Sequence, residues 1–109
     1  MAPLGNVEAL EEVFREHGPR LAAALIEPLP ANNGLLVQEG RFLSRLRELT
    51  AQHGVILVFD EVITGFRFGF HGYAKQVGVQ PDLTTLGKIV GGGLPVGAVV
   101  GRAEILERL

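Results

Sequence analysis

The sequence contains no cysteine and no excess of positive charge, and both facts narrow the possible functions. Without cysteine the chain has no disulfide framework, no thiolate metal site and no thiol redox motif. The formal net charge is -2, and a chain without a basic excess is not expected to bind nucleic acid or an anionic membrane surface. The histidines, His17, His53 and His71, are widely spaced and form no ligand pair, so we expect no bound metal.

Long hydrophobic runs are missing as well. The longest, residues 21–26 and 55–59, are far too short to span a bilayer. Residues 1–6 show no basic start followed by an apolar stretch, so we expect no signal peptide and a cytoplasmic location. With 109 residues, 47% hydrophobic and 20% charged, the chain is expected to form one globular domain.

Helical and strand periodicities alternate along the chain. The predicted helices span residues 7–17 and 39–53, with helical turns over 73–77 and a helix start over 104–109; the predicted strands span 21–26, 55–59, 83–86 and 96–100. Gly54 lies where a helix C-cap belongs, and the continuous run 55–59 is typical of a central strand buried on both faces. This order predicts an α/β fold with a mainly parallel sheet, of which few strands are present.

An acidic pair, Asp60 and Glu61, follows the predicted strand 55–59. Ligands of open α/β folds bind at the carboxyl ends of the strands, and two acids there lose solvation unless a positive group meets them. A structural interpretation is equally open, in which Asp60 caps the next turn and Glu61 faces solvent. Position alone does not choose between the two.

Lys88 lies between the predicted strand 83–86 and the glycine turn 91–93. A lysine flanked by apolar residues and glycines either extends its amine to water or is partly desolvated, and a desolvated amine is a good nucleophile towards carbonyls. The glycines match neither a P-loop nor a dinucleotide fingerprint, and Lys88 precedes them, whereas the lysine of a P-loop follows its glycines. We interpret the glycine cluster as a tight turn.

Asp60 and Lys88 together indicate a specific chemistry. A pyridoxal-phosphate enzyme needs a lysine that binds the cofactor's aldehyde and an acid beside its pyridine nitrogen. Residues at the ends of neighbouring parallel strands are able to face one ring. The pair therefore points to pyridoxal 5'-phosphate as the cofactor.

Two stretches around these residues resemble motifs of the class III aminotransferases. Residues 59–67, FDEVITGFR, are similar to the motif of the cofactor aspartate, and residues 81–98, PDLTTLGKIVGGGLPVGA, to the motif of the Schiff-base lysine. The closest branch is that of glutamate-1-semialdehyde 2,1-aminomutase. The resemblance implies that the chain is part of the large domain of a fold-type-I pyridoxal-phosphate-dependent transferase.

The resemblance also implies roles for four residues. Lys88 is expected to hold the cofactor and then to shuttle protons between substrate and cofactor carbons, and Asp60 is expected to pair with the pyridinium nitrogen. Val62 is expected to pack on one face of the ring, and Asn32 to lie near the cofactor's phenolic oxygen. The alternatives are an ordinary core valine at Val62 and a turn asparagine at Asn32.

The implied activity is amino-group transfer on a small amino, keto or semialdehyde substrate by a homodimer. In the aminomutase branch, glutamate 1-semialdehyde becomes 5-aminolevulinate for tetrapyrrole synthesis. Residues 31–34 and 68–73 depart from the common aminomutase forms. Both stretches are expected to lie where the enzyme selects its substrate. A class III aminotransferase with separate amino donor and acceptor is therefore one alternative, and a non-catalytic α/β binding remnant is another.

The length of the chain sets a further expectation. Enzymes of this family are several times longer than 109 residues, with the phosphate loop upstream and the part that completes the small domain downstream. We therefore expect residues 1–109 to be a partial pyridoxal-phosphate-binding large domain, a fragment with little or no activity alone. A parallel sheet cut in this way exposes edge strands, which favour aggregation.

Overall fold

A computed structural model describes residues 1–108 and contains one four-stranded sheet with helices packed against it. The strands are β1 (Ala23–Ile26), β2 (Ile56–Asp60), β3 (Leu83–Leu86) and β4 (Ala98–Gly101), in that spatial order. The helices are α1 (Val7–His17), α2 (Gly40–His53), α3 (Gly72–Val77) and α4 (Ala103–Leu106), with 3-10 helices at Gly18–Arg20 and Lys88–Gly91. The first three strands are parallel and β4 is antiparallel to β3, so the predicted α/β fold with a mainly parallel sheet is confirmed.

The element boundaries differ from the prediction in a few places. The strand predicted over 21–26 begins at Ala23, because the 3-10 turn before it still holds Leu21 through a hydrogen bond to Gly18. The return strand predicted over 96–100 is shifted to Ala98–Gly101. The predicted helix 104–109 is a single turn, α4, and Leu109 lies outside the described residues. Asp60 is the last residue of β2 rather than the first residue after it.

Helices α1 and α2 cover one face of the sheet. Leu57 and Phe59 of β2 are fully buried against the apolar sides of these helices, which supply Phe14 and Leu46 to the same core. Each fully buried side chain of this size contributes about 1.5–3 kcal/mol relative to its exposed state. Helix α2 ends at Gly54, which has the left-handed φ of 67° that its predicted C-cap role requires.

The opposite face of the sheet is uncovered by the described residues. The strand register pairs Leu25 with Val58 and Asp60 with Thr85, and Thr85 pairs in turn with Val99, all on this face. Leu25 is 67% exposed and Val99 48% exposed. The expectation that β2 is buried on both faces is therefore wrong for this chain, in which burial alternates along the strand.

A buried carboxylate joins three elements at the amino end of β3. Asp82 accepts hydrogen bonds from the backbone N–H of Leu57 at 2.8 Å, from Arg47 Nη1 at 2.8 Å and from Arg102 Nη1 at 3.1 Å. Burial of Asp82 opposes its ionisation, but the Leu57 N–H and the two guanidinium groups outweigh that cost and hold its pKa below the usual value. Asp82 thus connects α2, β2 and the segment after β4.

Residues 1–108 contain no candidate for a membrane-spanning helix or for a metal site. None of the helices there is long and apolar enough to cross a membrane. The same residues contain no group of three or more histidine, cysteine, aspartate or glutamate side chains placed to hold a metal ion.

Candidate active site

Asp60 and Lys88 lie at the same edge of the sheet, at the carboxyl ends of the neighbouring parallel strands β2 and β3. Asp60 is the register partner of Thr85, whose Oγ1 donates to Asp60 Oδ1 at 3.2 Å. Neighbouring strands are about 4.8 Å apart and three residues span at most about 11 Å, so the Asp60 and Lys88 Cα atoms are within about 16 Å of each other. A lysine side chain, one aromatic ring and a short carboxylate bridge such a distance.

The Asp60 carboxylate is half-buried and fixed through one of its oxygens. Oδ1 accepts from the backbone N–H of Val62 at 3.0 Å as well as from Thr85. Oδ2 makes no hydrogen bond to any residue in the range 1–108, so it is available to an outside donor. The structural interpretation of Asp60 is thus also correct, because the residue caps the turn that follows β2.

Lys88 has an unusual backbone conformation. Its φ is 50°, in the left-handed region that residues other than glycine rarely adopt, and such strain clusters at functional sites. The side chain is exposed, in agreement with the interpretation in which the amine extends to water. Among residues 1–108 the amine belongs to no ion pair.

Val62 and Asn32 differ in how closely the structure ties them to this edge. Val62 is half-buried, and a Cβ atom added to Gly87 would lie 3.1 Å from Val62 Cγ1. The valine side chain therefore packs against the backbone just before Lys88, rather than in the core. Asn32 is exposed in the turn after β1, as its turn interpretation has it, and makes no side-chain hydrogen bond within the part of the chain that is described.

Glu61 occupies a position that the sequence reasoning missed. It is 1% exposed, so the structural interpretation in which it faces solvent is wrong. Its carboxylate accepts hydrogen bonds from Thr64 Oγ1 at 2.9 Å, from Tyr73 N at 2.6 Å and from Ala74 N at 3.2 Å. A signal was present: the two-residue alternation that buries Leu57 and Phe59 also points the next alternate residue, Glu61, towards the helix-covered face.

These groups make a coherent donor and acceptor set at one edge. Within residues 1–108, Lys88 has an amine without an ion pair and Asp60 has one carboxylate oxygen without a hydrogen bond. Val62 adds an apolar surface next to Gly87. This set fits an aromatic aldehyde with a ring nitrogen, the chemistry of pyridoxal phosphate. The fold and the site are those of an α/β enzyme that works at the carboxyl edge of its sheet.

Comparison with known sequences identifies the family. The model of the family described as Aminotransferase class-III matches residues 3–109, and the chain therefore belongs to the class III aminotransferases. It is 53% identical over 109 residues to the glutamate-1-semialdehyde 2,1-aminomutase of Desulforudis audaxviator (strain MP104C), which covers 100% of this chain and 25% of that protein. The chain thus spans about a quarter of the length of the curated relatives it matches.

Solved structures confirm the fold. An omega-transaminase from Sphaerobacter thermophilus superposes with a TM-score of 0.90 at 47% identity, covering 95% of this chain and 24% of that one. A transaminase with PLP bound superposes with a TM-score of 0.89 at 38% identity, covering 96% of this chain and 24% of that one.

The Asp82 network yields a prediction about stability. In the full-length enzyme, meaning this segment together with the parts that its relatives carry around it, Asp82→Asn is expected to lower the free energy of unfolding by about 2 kcal/mol at pH 7. The loss arises because the neutral amide no longer pairs with Arg47 and Arg102. Denaturant titration of the wild type and the variant measures it.

The same pair of proteins should show a pH dependence of known sign. Because the folded-state pKa of Asp82 is lowered, its contribution is fully present above the unfolded-state pKa of about 3.9 and is lost as the pH falls through the lower folded-state value. The stability difference between wild type and Asp82→Asn should therefore shrink below about pH 4. A constant difference from pH 7 to pH 3 would contradict the network.

The uncovered face gives a second prediction, for residues 1–109 expressed alone. Leu25 and Val99 expose apolar surface on this face, and β1 and β4 each have one unpaired edge in the four-stranded sheet. We expect the isolated chain to aggregate and to lack amino-group transfer activity, because exposed edges and apolar faces associate. Light scattering and an activity assay test this; a soluble monomer with a sharp cooperative melt is the opposite result.

Proposed function

We propose that the full-length enzyme transfers amino groups with pyridoxal phosphate, using Lys88 and Asp60 of this segment. The observation that carries the proposal is the placement of a strained, unpaired lysine and a half-free carboxylate at the ends of two adjacent parallel strands. When bound, pyridoxal phosphate supplies an electron-withdrawing ring that stabilises negative charge on the substrate carbon. The proposal includes a cytoplasmic homodimer, as the resemblance implies.

The residues of this chain divide the work. The Lys88 amine would hold the cofactor aldehyde and would take and return the proton of the substrate carbon. The Asp60 carboxylate would accept from the ring nitrogen and keep it protonated, and Val62 would pack against the ring. Asn32, in the loop after β1, is the proposed neighbour of the phenolic oxygen.

The preferred reaction is the conversion of glutamate 1-semialdehyde to 5-aminolevulinate. This preference rests on the identity to curated aminomutases, 53% in the case of Desulforudis audaxviator. The two compounds are isomers, so the reaction needs no separate amino donor.

A second candidate is an aminotransferase with separate amino donor and acceptor. The omega-transaminase of Sphaerobacter thermophilus, at 47% identity and a TM-score of 0.90, favours this candidate. The departures at residues 31–34 lie in the loop after β1, and those at residues 68–73 lie after β2, in the loop that leads into α3 and in its first two residues. Both follow the carboxyl ends of strands, where substrates of such folds bind.

One set of experiments tests the proposal and separates the candidates. The full-length enzyme is loaded with pyridoxal phosphate, reduced with borohydride and digested, and the adduct is mapped. We expect the label on Lys88; a label on any other residue overturns the assignment. Turnover of glutamate 1-semialdehyde alone, set against a panel of ω-amines paired with keto acids, then distinguishes aminomutase from aminotransferase.

A further inference from the structure

Glu61 is a buried carboxylate to which the proposed chemistry gives no task. It directly follows Asp60, and no lysine, arginine or histidine among residues 1–108 lies within ion-pair distance of it. Burial of such a group is costly unless hydrogen bonds satisfy it. The three donors from Thr64, Tyr73 and Ala74 satisfy both of its oxygens.

Two of those donors belong to the first turn of α3. The N–H groups of Tyr73 and Ala74 have no partner inside the helix, and His71, at the N-cap, supplies no side-chain hydrogen bond. Glu61 caps the helix in its place, from a distant point in the sequence. A Cβ atom added to Gly72 would lie 2.6 Å from Glu61 Oε2, so the helix start is shaped around this carboxylate.

The backbone of Glu61 is fixed just as firmly. Its N–H donates to the carbonyl of Thr85 at 3.0 Å, and its carbonyl accepts from Gly65 N at 2.7 Å. A Cβ atom added to Gly65 would lie 2.7 Å from the same carbonyl oxygen. Residues 61–65 thus form a compact turn, held to β3 by the residue that also donates to Asp60.

We propose that Glu61 is a positioning residue for the cofactor ring. Its side chain fixes the turn formed by residues 61–65, between β2 and α3. This turn fixes the positions of the Asp60 carboxylate and the Val62 side chain, because Val62 N donates to Asp60 Oδ1 at 3.0 Å. The inference rests on the proposed function, in which both residues contact the ring. A misplacement of about 1 Å is enough to lower a rate by about 100-fold.

The test is Glu61→Gln in the full-length enzyme, with pyridoxal phosphate as the probe. The glutamine amide keeps the volume of the side chain. It replaces one acceptor oxygen with an NH2 group, which then faces a hydrogen-bond donor of Thr64, Tyr73 or Ala74. We expect the Kd for pyridoxal phosphate to rise about tenfold, from the loss of satisfied buried hydrogen bonds. We also expect the circular dichroism of the bound cofactor to change and kcat to fall by a larger factor than KM changes.

Asp82→Asn is the matched control. It also neutralises a buried carboxylate that joins several elements, but at the amino end of β3. It should lower the stability of the enzyme while leaving the Kd for pyridoxal phosphate and the cofactor circular dichroism at their wild-type values. A cofactor signature that moves equally in both variants identifies Glu61 as merely structural and overturns the inference.

Two further results keep the inference separable from the proposed function. If Glu61→Gln does not fold, Thr64→Val removes one of the three donors and should give a smaller change in the same two cofactor signals; unchanged signals then overturn the inference. A wild-type enzyme whose borohydride adduct is not on Lys88 overturns the proposed function itself. A wild type labelled on Lys88 beside a Glu61→Gln variant with wild-type Kd and circular dichroism overturns only the positioning role.

Discussion

Lys88→Ala in the full-length enzyme is expected to lower kcat by at least about 10,000-fold, since positioned acid–base catalysis alone contributes about 100- to 10,000-fold. The proposed function gives the Lys88 amine two tasks, to hold the cofactor and to move the substrate proton, and alanine performs neither. The sequence offers one other lysine, Lys75, which lies exposed on α3. Single-turnover transfer of the substrate amino group, followed after mixing with saturating cofactor, measures the loss.

Lys75→Ala is the control for that experiment. It removes the same amine from an exposed residue outside the candidate site, and its kcat should stay within about twofold of the wild type, as expected for a surface substitution. Residual Lys88→Ala activity within tenfold of the wild type would show that another amine carries the reaction.

Asp60→Asn is expected to lower kcat by about 100- to 1,000-fold, the effect of removing one electrostatic stabiliser from an active site. The amide oxygen is able to keep the bonds that Oδ1 accepts from Val62 N and Thr85 Oγ1. The geometry is therefore retained while the negative charge beside the ring nitrogen is lost. Steady-state kinetics and the pH profile of kcat report the change.

A graded variant separates charge from placement at Asp60. Thr85→Val removes the hydroxyl that donates to Oδ1 at 3.2 Å and leaves the charge in place. Its loss in kcat should be smaller than that of Asp60→Asn. Wild-type kinetics in Asp60→Asn would mean that the ring nitrogen has another partner.

The sequence predicted the parts of the fold whose signals are continuous and local. The strand predicted over 83–86 has the same bounds as β3. Gly54 ends α2 with the left-handed backbone that a C-cap requires. Both depend on neighbours in the chain. The adjacency of Asp60 and Lys88 was also predictable, because a parallel arrangement of consecutive strands brings their carboxyl ends to one edge.

Contacts between distant residues were not readable from the chain. Asp82 meets Arg47 and Arg102, which are 35 and 20 residues away, and no local pattern announces such pairs. Glu61 was misjudged because an acid after a strand is usually solvated, while its donors Tyr73 and Ala74 come from a helix that begins eleven residues later. The uncovered face of β2 depends on packing partners that no stretch of the 109 residues specifies.

The left-handed backbone at Lys88 has a consequence for engineering. Glycine adopts a φ near 50° without steric cost. Lys88→Gly is therefore expected to remove backbone strain at this position. The exchange thus keeps the backbone conformation after β3 and removes only the side chain with its amine. Because position 88 is exposed, we expect a small alkylamine supplied from solution to reach it and to replace the missing amine.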